Sequence, residues 1–319
     1  MIGARPLRWR IAAVITLFLI VTAAPLLAPA DPDAQEDPAG ARYLPPLTRA
    51  HALRLEGHRV LVVTRLRATG NGWEFQRAEQ QESLPAAALE GPPERRFYLL
   101  GTDALGRDLT SRILFGARQS LGIAALSVAL ALVLGIGVGS AAGYLGGWWD
   151  AALMRGVDAL MSIPRLLIYL MCAALFPPST LLLVLVLGGT TWTGLARLVR
   201  AGVMSTIKSD LGLQARALGS RPLRLVLLHL LPQMAPVLVT TATLRFADTL
   251  LLESALSLLG LGSPPPAVSL GGIMGSGRDV LAEAWWVVAW PGLAIAVTVA
   301  ALRAAAADLF RLTDPPSLA

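Results

Sequence analysis

The sequence predicts an all-α transmembrane protein with six spanning helices and one small, β-rich insert after the first. Three observations carry this. Of 319 residues, 55% are hydrophobic and 15% charged, and the mean hydropathy is +0.60, whereas soluble domains carry about 25% charge. Apolar runs near the ~20 residues that cross a bilayer recur along the chain. The basic residues gather at the ends of those runs, the bias that orients spans. The net charge of +6 is therefore read as topology rather than as a nucleic-acid surface. A single cysteine, Cys172, lies inside an apolar run. It excludes an intrachain disulfide or a cysteine-rich metal site and is read as a packing residue.

Taken in order, Arg5, Arg8 and Arg10 precede an apolar run over 11–28. This is a first span, or alternatively a signal peptide with a small-residue cleavage site at its end. Both readings put the N-terminus in the cytoplasm. Residues 31–115 form the insert. Paired prolines stand at 45–46 and 92–93, and the segment RVLVVTRLRATGNGWEFQ occupies 59–76. Asn71-Gly72 between β-prone runs predicts a hairpin. The second span covers 121–143, where Gly135, Gly139 and Gly143 repeat every fourth residue. Such a stripe lets another helix backbone approach closely, so it packs a helix or borders a translocation path.

The third span is predicted over 160–176 with Pro164 near its start, the fourth over 181–195, the fifth over 234–259 and the sixth over 285–306. The fifth carries Arg245, Asp248 and Glu253. Charges inside a span are costly and face protein or water. Arg245 and Asp248, three apart, share a face and are positioned to pair or to line a pore. Arginines 155, 197, 200, 216, 221 and 224 fall in the short loops on one side and only Arg278 on the other. That places both termini in the cytoplasm.

Between the fourth and fifth spans lies a polar, basic stretch, DLGLQARALGSRP, at 210–222. Asp210 can cap a helix start, Gly219 can end it in a left-handed conformation, and Pro222 can open the next helix. The result is a helix of about nine residues, about 14 Å long. It docks onto something outside the membrane, or it is an ordinary connection. No zinc-protease helix or nucleophile elbow is present. Two of the three histidines, His51 and His58, sit in the insert and make no metal site by themselves. GVMSTIKS at 202–209 misses a phosphate-binding loop because Ile207 replaces the glycine whose backbone would wrap the phosphates. Uphill transport would thus need a partner or an ion gradient.

Four ordered stretches carry a family resemblance. They are GTDALGRDLTSR at 101–112 with GARQSL at 116–121; AGYLGG at 142–147 with Asp150, Met154, Arg155, Asp158 and Ile163-Pro164; Trp192, Ala196, Arg197, Val199 and Arg200 with the stretch 210–232; and ESALSLLGLG at 253–262 with Pro264, Pro265, Gly271, Met274, Trp285, Trp286, Pro291 and Gly292. Together they resemble the inner-membrane permeases of ATP-binding cassette importers, in the dipeptide/oligopeptide/nickel family. The chain is similar to the second permease of the pair. The resemblance implies a six-helix type I permease of the bacterial inner membrane. Its domains would be an N-terminal tail and first helix at 1–30, a periplasmic insert at 31–115, a permease core at 116–312 and a tail at 313–319.

The resemblance also implies partners: a second homologous permease, two ATPase subunits, a periplasmic solute-binding protein and the lipid bilayer, with no nucleic acid. No cofactor would bind this chain, and ATP and magnesium would sit on the ATPases. Within a coupling loop at about 197–232, the short helix would dock into an ATPase groove. Ala215 and Gly219 match the small positions of the family's motif, and Arg216, Ala217 and Leu218 match those between, with Asp210 at the start. Leu213 and Gln214 replace its leading Glu-Ala. Leu270 stands where the family commonly has tryptophan, and Arg245 and Asp248 stand in a usually apolar span. The alternative from another class is a stand-alone secondary transporter using Arg245, Asp248 and Glu253, with uptake insensitive to ATP depletion. An intramembrane enzyme lacks its constellation, and a non-transporting scaffold is separated by a flux assay.

Overall fold

A computed structural model describes residues 14–16, 18–55, 59–70, 72–77, 80–209 and 226–313. These fall into two compact units. One holds Leu121–Glu253 and the chain from Val297 onward; the other holds Leu17–Ser120 and Ser254–Ala296.

The insert builds two three-stranded antiparallel sheets. Strands β1 (Thr48–Leu55), β2 (Arg59–Val63) and β6 (Glu94–Tyr98) form one in the order β2-β1-β6. Strands β3 (Leu66–Thr69), β4 (Gly72–Arg77) and β5 (Gln80–Pro85) form the other in sequence order. Leu53 and Val63 from the first sheet share a core with Phe75, against which Leu66 and Leu84 pack. Ala50, Val62 and Tyr98 pack with Ala41 and Leu44. Alternation along the strands thus gives the first sheet two buried sets of side chains. The predicted hairpin forms one residue early. Thr69 pairs with Gly72, which already belongs to β4, so the two-residue connection is 70–71, and Asn71 lies outside the described residues. Gly72 is needed for strand approach rather than for the turn: a methyl group there would sit 2.1 Å from the Leu84 carbonyl oxygen.

Among the described residues seven longer helices follow: α1 (Leu109–Leu145), α2 (Gly147–Ser162), α3 (Arg165–Leu175), α4 (Thr180–Lys208), α5 (Leu231–Leu258), α6 (Leu270–Gly277) and α7 (Trp286–Thr313). Of these, α1, α4, α5 and α7 are long and apolar enough to cross a membrane, and the pair α2 and α3 adds a fifth if taken as one broken span. The run at 11–28 is described only from residue 14, and its described part is helical up to Leu27 apart from a turn at Ala23. At 37 residues, α1 is about 55 Å long, beyond a ~30 Å hydrocarbon core. It begins at Leu109, inside the residues assigned to the insert.

The predicted third span over 160–176 is corrected. Residues 160–162 end α2, and α3 leaves at 81° after a break at Ile163 and Pro164. Proline bars the helical conformation for the residue before it, and Ile163 is extended, with φ −93° and ψ 125°. Arg155, counted among the short-loop arginines, belongs instead to the 16-residue helix α2.

Candidate translocation path and coupling elements

The glycine stripe of α1 lies on α4. A methyl group at Gly135 would stand 2.6 Å from Leu195 Cβ, at Gly139 2.4 Å from the Ala196 carbonyl oxygen, and at Gly143 2.9 Å from the Arg200 carbonyl oxygen. Gly188 on α4 returns the contact, 2.8 Å from the Ser127 carbonyl oxygen. Position rises along both helices together, so α1 and α4 run parallel with their backbones in contact. Leu195, Val199 and Val203 of α4 are buried with Ala131 of α1, and Ile136 and Tyr144 pack on them. Gly137 faces away, with nothing within 4 Å.

The charged residues of α5 separate into different roles. Asp248 accepts a hydrogen bond from Arg303 Nη2 of α7 at 3.1 Å. This corrects the pairing of Asp248 with Arg245 expected from their spacing. The Arg245 guanidinium instead reaches over Gly194 of α4, where a methyl group would be 2.6 Å from Nη2. Arg165, the first residue of α3, lies within electrostatic reach of both Arg245 and Asp248. Glu253 of α5 is fully buried, and Tyr169 of α3 is buried as well.

Two ion pairs tie α2 to α4. Arg200 donates Nη2 to Asp150 Oδ2 at 2.6 Å and Nε to Oδ1, a two-pronged contact, the geometry that makes arginine–carboxylate pairs strong. Arg197 pairs with Asp158. Lys208 ends α4. The stretch expected to couple to an ATPase, with Asp210, Leu213, Gln214, Ala215, Arg216, Ala217, Leu218 and Gly219, lies outside the described residues. The chain resumes in a π-helical turn at Val226–Leu230, which leads into α5. Val226 and Leu230 are buried against α4 residues Leu195, Val199 and Val203. Both ends of the undescribed stretch are therefore fixed on the same helix.

The family "binding-protein-dependent transport system inner membrane component" matches residues 135–315, more than half of the chain. A di/tripeptide transport system permease protein of Pseudomonas aeruginosa is 37% identical over 231 residues, covering 72% of this chain and 76% of that protein. The chain belongs to this family. A putative peptide transport system permease of Brucella suis is also 37% identical, over 218 residues, covering 68% and 73%. A dipeptide transport system permease of Alkalihalophilus pseudofirmus is 31% identical over 234 residues, covering 73% and 76%. In fold, the chain is similar to a chain of the MetNI methionine ABC transporter in an inward facing conformation, with a TM-score of 0.51 and 19% identity over 64% of this chain and 97% of that one. The protein is thus a permease, a multi-pass component of the inner membrane. The family match begins at Gly135, so the glycine contact with α4 lies inside it and the β-rich insert lies outside.

The remaining permease motifs build the other unit. Gly101 adopts φ +87°, and its carbonyl accepts the Leu109 N–H at 3.0 Å at the start of α1. The Trp286 indole donates to the Thr102 carbonyl at 3.3 Å. Thr102 Oγ1 donates to the Ala41 carbonyl at 2.5 Å and accepts from the Leu44 N–H at 2.7 Å. Asp103 accepts from Arg107 Nε at 2.8 Å and forms an ion pair with Arg112 at 3.3 Å. Asp108 caps α1 by accepting from the Ser111 N–H at 2.7 Å. Gly271 brings α6 onto the end of α5, where a methyl group would be 2.1 Å from the Ser254 carbonyl oxygen. Leu270, at the family's tryptophan position, is buried, and its N–H donates to Ser120 Oγ at 3.3 Å.

Sequence reasoning missed Arg165 and Arg303. Each lies near the end of an apolar run, where an arginine reads as a topology signal. Only the bend at Pro164 and the approach of α7 to α5 bring them to Asp248.

Proposed function

We propose that this permease works in an ATP-driven importer of peptides or related small solutes in the bacterial inner membrane. The supporting observation is its identity of 37% over 231 residues with a di/tripeptide transport system permease. A solute-binding protein delivers the solute to the outer face. A second homologous permease completes the path, and two ATP-binding cassette subunits bind ATP and magnesium and hydrolyse it. Both termini are cytoplasmic, and the insert is periplasmic.

Coupling runs through the helix at about 210–222. The elements on either side of it suit that role. Arg200 holds α4 to α2, and Val226 and Leu230 anchor the return to α4. A push on the short helix would then move α2, α4 and the start of α5 together. Small side chains at Ala215 and Gly219 let a short helix seat deeply. ATP closure of the ATPases would draw the coupling helices together and open the path alternately to each side.

The test is ATPase stimulation by the binding protein in the reconstituted complex. Gly219→Trp should abolish stimulation while the complex still assembles. Stimulation at the wild-type level would remove the assigned role of this stretch.

A further inference from the structure

We propose that Arg165, Arg245 and Arg303, gathered around Asp248, form an anion site in the solute path that takes the carboxylate of the transported solute. The inference rests on the reading that these helices border that path. Arg303 occupies Asp248 from α7 at 3.1 Å. Arg245 extends toward α4 in the space left by the missing side chain of Gly194. Arg165 feels the repulsion of Arg245 and the attraction of Asp248. Two positive charges remain in excess of Asp248, and Glu253, two turns beyond Arg245, is fully buried.

The position makes this excess informative. Asp248 lies 17 residues into a 28-residue helix, about 25 Å from its start. The side chains of Arg303 and Asp248 are 55% and 49% exposed. Half-exposed charges at that depth do not face lipid tails; they face water or protein and mark solute pathways. Arginine is the side chain whose planar fork fits a carboxylate, and it stays charged when partly dehydrated. A peptide brings one carboxylate at its C-terminus, which would neutralise one of the two excess charges.

The test uses the assembled complex with Cys172→Ser and a reporter thiol at Leu244→Cys. Leu244 is one turn before Asp248 and is itself exposed. Anionic and cationic methanethiosulfonates of similar size are compared, each relative to its rate with a free thiol in solution. The anionic reagent should be favoured about tenfold or more, as a focused positive potential requires. Replacing Arg165 and Arg245 by glutamine should remove the preference. Equal relative rates, a preference indifferent to those substitutions, or no reaction because lipid or the second permease covers this face would each overturn the inference.

Uptake gives a second readout. At saturating binding protein, R165Q/R245Q should lower peptide uptake about tenfold while stimulation of ATPase activity persists, and Arg245→Lys should retain part of the uptake. Unchanged uptake in the double variant would overturn the inference. Absence of peptide uptake by the unaltered complex, with the anionic preference intact, would defeat the peptide reading and leave the anion site standing.

Discussion

Gly139 of α1 lies so close to Ala196 of α4 that a methyl group on it would stand 2.4 Å from the Ala196 carbonyl oxygen. The neighbour is backbone, which cannot rotate aside, so any side chain must part the two helices. Gly139→Val should therefore destabilise the permease by about 3 kcal/mol, the upper end for overpacking, and lower the thermal midpoint of the purified complex. Gly137→Ala is the control. It lies two residues away on the same helix with nothing within 4 Å and should leave the midpoint unchanged. Equal effects would mean that helix propensity, not the contact with α4, decides.

The Asp150–Arg200 pair predicts a separation between anchoring and surface charge. Arg200 holds Asp150 with two nitrogens, with side chains 33% and 15% exposed; Arg197 and Asp158 are 48% and 58% exposed. Breaking the first pair with Asp150→Asn should cost about 1 kcal/mol, the top of the range for accessible ion pairs. It should also reduce binding-protein-stimulated ATPase activity several-fold, because α4 leads into the coupling stretch. Asp158→Asn should change neither measurably. The exchange D150R/R200D should restore much of the stimulated rate if the pair, rather than either residue alone, matters.

These contacts show what the sequence could and could not disclose. A four-residue glycine repeat in an apolar run is enough to announce close helix packing, because the helix period places Gly135, Gly139 and Gly143 on one face. It does not name the partner, since two further helices separate α4 from α1 in the chain. Pro164 announces a break but not its angle, which is 81°. Asp248 is the clearest case. Its sequence neighbour Arg245 has the right spacing, yet Arg303, 55 residues away, takes the carboxylate. Local periodicity predicts which groups share a face and cannot rank a local partner against a distant one. In the insert, Asn71-Gly72 signals a hairpin, while the pairing of Thr69 with Gly72 shifts the connection one residue earlier than the dipeptide suggests.

Gly101 is held in a conformation that side chains resist, at φ +87°. A methyl group there would also meet the Leu44 carbonyl oxygen at 2.5 Å and the Trp286 indole nitrogen at 2.9 Å. Gly101→Ala combines a left-handed strain of about 1–2 kcal/mol with those contacts. It should loosen the start of α1, whose Leu109 N–H bonds to the Gly101 carbonyl. Hydrogen exchange should rise at Leu109 and Thr102 while the centre of α4 stays protected. Protection unchanged at Leu109 would show that the local hydrogen bonds survive the substitution.

The orientation of the chain gives a prediction that depends on no partner. In the proposed orientation, which follows the positive-inside bias of the arginines between the spans, residue 209 faces the cytoplasm. Ala68 in β3 and Ser209 after α4 are both exposed, so both can carry a reporter thiol without disturbing a core. In a Cys172→Ser background, Ala68→Cys should react with a membrane-impermeant maleimide in cells whose outer barrier is opened but whose inner membrane is intact. Ser209→Cys should react only after the inner membrane is permeabilised. The reverse order would invert the chain, put the coupling stretch on the face without ATP and defeat its assigned role. Reaction of both positions before permeabilisation would place them on one side, which requires an even number of crossings between residues 68 and 209. Three crossings are expected, by α1, by the broken pair of α2 and α3, and by α4. The parallel packing of α1 and α4 requires the pair bent by 81° to cross between them, so that outcome would contradict the contact made through Gly135, Gly139 and Gly143.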